Sequence, residues 1–162
     1  MNTEPNDIPN SPSVVSAPAP ASEPAFAAFV AIDWGDEEHA VVLQAAGQRQ
    51  TERTVLAQKP EALMEWISGL RERFAGAPIA VILEQKRGAL LYALQPHEHL
   101  VLYPINPQMS AKFRQAFYPS GAKSDPSDAD LQLDILLHHR DRLTAWRPED
   151  AVTRQLQLLV EA

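Results

Sequence analysis

A mixed α/β domain is predicted here, with a three-stranded antiparallel meander, then parallel strands, and helices on the flanks. Three observations predict it. Three short strand-like runs follow one another between residues 26 and 56 with only polar turns between them. The period then switches to helical, and beyond that point apolar strand-like runs alternate with helical stretches, the order expected of a sheet covered by helices. Finally, two of the apolar runs end in a carboxylate.

The elements follow in order. Phe26-Ala-Ala-Phe-Val-Ala-Ile-Asp33 is an apolar run of the kind that fills a buried central strand. Asp36–Glu38 is a polar turn, His39–Gln44 a second strand, and Ala46-Gly47-Gln48 the next turn. Gln50–Leu56 alternates polar and apolar residues, as a more exposed third strand does. Pro60 suits a first helical position, Leu63, Ile67, Leu70 and Phe74 recur at helical spacing, and Gly76 closes that helix. Ile79–Glu84 is the next strand, Ala89–Gln95 a short helix, and Leu100–Ile105 a further strand. Pro107 opens a helix running to about Phe117. Tyr118–Ala122 is a loop, and Pro126 starts a long helix to about His139. A last amphipathic segment begins at Glu149.

Composition narrows the function classes. The 162 residues contain no cysteine, which excludes a disulfide framework, a thiol nucleophile and Cys-ligated metal. No apolar run approaches the roughly 18–20 residues that span a bilayer, so no membrane partner is expected. Six of the 14 prolines fall in residues 1–24, a stretch with too little apolar surface to offset its ordering entropy and therefore expected to be a disordered tail. No Lys or Arg precedes Arg49, so a basic targeting segment is missing and a cytoplasmic location is expected. Setting aside Glu4, Asp7 and Glu23 moves the net charge from −7 to −4, which by itself is poor evidence for nucleic-acid binding.

The distribution of charge says more. Lys86, Arg87, Lys112, Arg114 and Lys123 lie between residues 85 and 124 with only Glu98 opposing them. Acids crowd instead at Asp33–Glu38 and Asp125–Asp134. A basic stretch between two acidic knots suits a metal-dependent phosphodiester enzyme, although any unevenly charged solvated surface reads alike. Asp33 and Glu84 end two apolar strands, where open α/β sheets place their ligands. Asp125 and Asp128 are three apart, on one face of a helix start. Four carboxylates from three segments suit Mg²⁺ or Mn²⁺, and two such ions about 4 Å apart can serve phosphoryl transfer. Structural readings compete: Asp125 as an N-cap, Asp128 complementing a helix dipole, Asp33 opening a turn, Glu84 paired with Lys86 or Arg87. The five histidines make no convincing metal set, and Trp34, Trp66 and Trp146 read as core or interface residues.

The motifs Phe29-Val-Ala-Ile-Asp-Trp-Gly35, Leu83-Glu-Gln-Lys-Arg-Gly88, Tyr103-Pro-Ile-Asn-Pro107 and Gly121-Ala-Lys-Ser-Asp-Pro-Ser-Asp-Ala129 go further. Over about residues 26–160 the chain resembles the RNase H-like (RuvC-like) N-terminal domain of DEDD transposases, the Piv/MooV-type insertion-sequence recombinases. The resemblance implies that Asp33, Glu84, Asp125 and Asp128 form a catalytic, divalent-metal-binding tetrad. It implies DNA as substrate, a structured guide RNA from the element, and a C-terminal domain whose serine attacks the scissile phosphate. Lys86, Arg87, Lys112, Arg114 and Lys123 are the expected phosphate contacts.

The expected division is a tail over 1–24, a RuvC-like domain over 25–147, and the start of a helical connector over 148–162. Val152, Leu156 and Leu159 of that connector form an apolar stripe suited to a homo-oligomer. No residue here takes the serine role, so the 162-residue chain alone is not expected to exchange strands. A standalone RuvC-like nuclease or a degenerate nucleic-acid-binding module is the competing expectation.

Overall fold

A computed structural model describes residues 25–84, 88–119 and 126–146. The expected tail, the segment from Glu149, and the site candidates Lys86, Arg87, Lys123 and Asp125 lie outside the described residues.

Five strands form one sheet: β1 (Ala28–Trp34), β2 (Glu38–Ala45), β3 (Glu52–Ala57), β4 (Ile79–Glu84) and β5 (Leu100–Ile105), in the order β3-β2-β1-β4-β5. β1, β2 and β3 pair antiparallel as a meander, while β4 and β5 run parallel to β1. Between them come α1 (Pro60–Arg73), α2 (Gly88–Leu94), α3 (Pro107–Phe117) and α4 (Asp128–His138), followed by a 3₁₀ turn, Arg140–Arg142. The parallel crossovers require covering helices. Accordingly every residue from Ile79 to Leu83 is 0% exposed.

Strand alternation divides the core into two layers. Val30, Ile32, Val81, Leu83 and Leu102 point to one face and pack with Ile67 and Leu70 of α1 and with Leu90, Leu91 and Leu94 of α2. Ala31, Val42, Ala80, Ile82, Tyr103 and Ile105 point to the other and pack with Leu131, Leu133, Ile135 and Leu136 of α4. Trp34, Trp66 and Trp146 pack against the first layer. The Trp146 amide donates to the Leu102 carbonyl at 2.7 Å, covering part of the β5 edge. At the other edge β3 buries only Leu56, and Glu52 holds Arg73 of α1 through two bonds of 2.6 and 2.7 Å.

Helix ends explain most boundaries. Pro107 opens α3, with the Asn106 side chain accepting the Gln108 amide at 2.9 Å. α1 closes through Ala75 and Gly76, both at positive φ, with the Gly76 amide on the Arg71 carbonyl at 2.8 Å. One boundary departs from the sequence expectation. α4 starts at Asp128 rather than Pro126, and its N-cap is Ser127, not Asp125. The Ser127 hydroxyl accepts the Asp130 amide at 3.2 Å and donates to the Asp130 carboxylate at 2.7 Å. That variant of the capping box satisfies a helix-end donor that an Asp-Pro start would not reach.

α1 contains one helical glycine, Gly69, which is exposed and has open space where a Cβ would stand. Gly69→Ala should raise unfolding free energy by about 0.5–1 kcal/mol in urea titration, because only the backbone entropy changes.

Candidate acidic site

β1 and β4 pair in register through Ile32 and Leu83, so their next residues, Asp33 and Glu84, stand side by side on adjacent strands about 4.8 Å apart. Parity puts both on the face that α4 covers, because Ala31 and Ile82, two residues earlier, belong to that layer. Both carboxylates are half-buried. Asp33 stands opposite exposed Ala40 of β2, and Glu84 opposite Ile105 of β5.

The turn after Asp33 is held from the first layer's side. Trp34 and His39 face each other in register, and their rings stack at 3.4 Å and 9°. His39 is 1% exposed, and its Nδ1 accepts the Gly35 amide at 3.1 Å. A Cβ on Gly35 would lie 2.3 Å from the Glu38 carbonyl oxygen, so the close approach of this turn admits only glycine. This histidine was not singled out by sequence reasoning. Its signal is the pairing of an aromatic and an imidazole at the two ends of a short hairpin.

Asp128 lies in the first turn of α4, where a carboxylate complements the helix dipole. It is exposed and pairs with Arg114 at 2.8 Å, while the same guanidinium donates to the Pro126 carbonyl at 2.8 Å. Arg114 therefore ties α3 to the start of α4, a task its place in a basic stretch did not reveal. Lys112 is exposed on α3. Asp130 turns to the β3 side, held by Arg53 at 2.6 Å and by Ser127. Burial pushes the Asp130 carboxyl up, but the Ser127 and Arg53 hydrogen bonds and the Arg53 charge outweigh it and hold it below the usual range. Among the described residues, no group of three or more His, Asp or Glu is placed to hold a metal ion. Asp33 and Glu84 are brought together, Asp128 is engaged elsewhere, and Asp125 is outside the described residues. His99, at the amino end of β5, is held below the usual imidazole range by burial.

Comparison with known proteins gives this arrangement its context. A family model described as transposase, for DEDD transposases of the IS110 type, matches residues 30–162. The chain belongs to this family. A relative in Sinorhizobium fredii (strain NBRC 101917 / NGR234), y4uE, named as a candidate transposase, is 29% identical over 111 residues, 67% of this chain. The chain spans only 31% of that protein's length. The mixed five-stranded sheet flanked by helices is consistent with an RNase H-like DEDD domain. None of the described helices is long and apolar enough to cross a membrane.

Two outcomes test this geometry. Gly35→Ala should destabilise the domain by about 1–3 kcal/mol in chemical denaturation, since backbone must move to admit the methyl. Asp130's depressed carboxyl contributes stability above the ordinary aspartate range, and loses it as pH falls below about 4. Arg53→Ala should thus cost less than about 1 kcal/mol near neutrality, the pair being largely exposed, and the difference should vanish in acid.

Proposed function

We propose that this member of the transposase family is a metal-binding domain for DNA transposition, with Asp33, Glu84, Asp125 and Asp128 as its acidic tetrad. The observation that carries this reading is the Asp33–Glu84 juxtaposition at the carboxyl ends of two parallel strands, on one face. Two carboxylates so placed repel one another, and a hard divalent cation with oxygen ligands is a fitting partner for such a donor set. The donor chemistry fits Mg²⁺ or Mn²⁺, with Asp33 and Glu84 as the fixed ligands. The remaining ligands come from the segment around Asp125 and Asp128.

A divalent ion bound there supplies polarisation of a phosphodiester and activation of the attacking oxygen. The chain's own residues do the rest. The His39 and Gly35 contacts hold Asp33 in place. Arg114 holds the Asp128 carboxylate until a stronger cation competes for it, and exposed Lys112 attracts the phosphate backbone. Lys86, Arg87 and Lys123 flank the acidic motifs in sequence and extend the same phosphate-contacting set. Contacts of this kind fix position and carry no base information. DNA is the proposed substrate, and a structured guide RNA the proposed source of sequence choice. Strand exchange is not proposed for these 162 residues by themselves, because none of them takes the serine role that the family resemblance implies.

Calorimetric titration with Mn²⁺ tests the reading directly. Wild type should bind saturably, and Glu84→Gln should weaken binding at least about tenfold, the loss of one charged ligand. Equal affinities would mark the acidic residues as a relic and favour a non-catalytic nucleic-acid-binding module.

A further inference from the structure

A second surface lies on α3, at its contact with the end of α4. Arg114 reaches the first turn of α4, yet the preceding residue, Phe113, contacts His139 at the C-cap of the same helix. α3 therefore engages both ends of α4. At the His139 end three rings gather. Phe113 and Phe117 lie one helical turn apart at 5.9 Å and 16°, and Phe117 lies over His139 at 5.2 Å and 26°. Phe113 packs against the second core layer, and the His139 amide is fixed on the Ile135 carbonyl at 2.7 Å. Two of the three rings are thus held by the fold. The third, Phe117, is 51% exposed.

The rings line a groove of about 420 Å³ together with Met109, Lys112, Ala116 and Arg142. Lys112 and Arg142 are both exposed cations. Asp141 lies beside Arg142 in sequence, and Arg140 sits over Phe26 and Phe29 instead. A cluster of three rings 5.0–5.9 Å apart, with Phe113 and His139 tilted at 41° and Phe117 exposed, bordered by two cations, is complementary to a flat base attached to an anionic backbone. A duplex offers cations its phosphates but keeps its base faces stacked, so this surface suits unpaired nucleotides.

We propose that the Phe113–Phe117–His139 groove binds single-stranded nucleic acid. A base stacks on Phe117, while Lys112 and Arg142 contact the flanking phosphates. The site is separate from the Asp33–Glu84 pair and needs no metal. It rests on the preceding reading only in that this chain handles nucleic acid.

The test is fluorescence anisotropy of the full chain in EDTA, with labelled oligothymidylate, oligouridylate and a blunt DNA duplex. Phe117→Ala should weaken both single strands roughly fivefold to a hundredfold, the range of one lost base–aromatic stack, and leave the duplex unchanged. Phe117→Trp should retain binding, whereas Phe117→Leu, apolar but without a π-face, should not. Lys112→Ala should lower the salt dependence of single-strand binding by about one phosphate contact. Circular dichroism checks that each variant folds. Unchanged single-strand affinity in Phe117→Ala, or an equal loss on duplex, overturns the proposal while leaving the metal-site reading to its own titration. Failure of the wild type to bind any of the three probes overturns it together with the nucleic-acid part of that reading.

Discussion

The parallel pairing of β1 with β4 is the constraint on which the rest of this structure depends. It places two strands that are apolar except for Asp33 and Glu84 at the centre of the sheet, where each face must be covered. Burying each large aliphatic side chain there contributes roughly 1.5–3 kcal/mol, well above the exposed Arg53–Asp130 and Arg73–Glu52 pairs, worth up to about 1 kcal/mol each. The same pairing fixes register. A slip of one strand by one residue would turn either Ile32 or Leu83 to the other face and put Asp33 and Glu84 on opposite faces. The juxtaposition of the two carboxylates is therefore enforced by core packing, not by attraction between them.

The layer over the carboxylates is organised differently. α4 presents Leu131, Leu133, Ile135 and Leu136 to the sheet and is apolar around much of its circumference, as a helix is when buried on several sides. Polar contacts then set where it begins: Ser127 with Asp130, Arg53 from β3 to Asp130, and Arg114 from α3 to Asp128. These ties fix the first turn of α4 against β3 on one side and α3 on the other. They also leave Asp128 exposed and paired to Arg114. α3 serves twice, with Arg114 toward the acidic side and Phe113 and Phe117 toward the aromatic groove.

Several elements were legible before the structure. β4, β5 and α3 have the predicted limits, because an apolar run closed by a carboxylate or a turn, and Asn-Pro before a helix, are local signals. β1 to β3 agree within about two residues. The start of α4 was not, since Asp125-Pro126 and Ser127-Pro-free Asp128–Asp130 offer rival caps, and the reciprocal Ser127–Asp130 bonds favour the second. The 3₁₀ turn at Arg140–Arg142 carries no periodicity to read.

What the sequence determined by itself is the order and type of elements, the acidic residues at strand ends and the family resemblance, all of which rest on local spacing. Tertiary structure decided which of those residues meet. Asp33 and Glu84 are 51 positions apart and come together only through β-pairing. Arg114 looks like a phosphate ligand in sequence, yet spends its guanidinium on the α4 terminus. His39 and His139 read as unremarkable histidines until one proves to be buried under Trp34 and the other stacked with Phe117. Neighbourhood across a sheet or between helices depends on register and crossing geometry, and no local pattern encodes those.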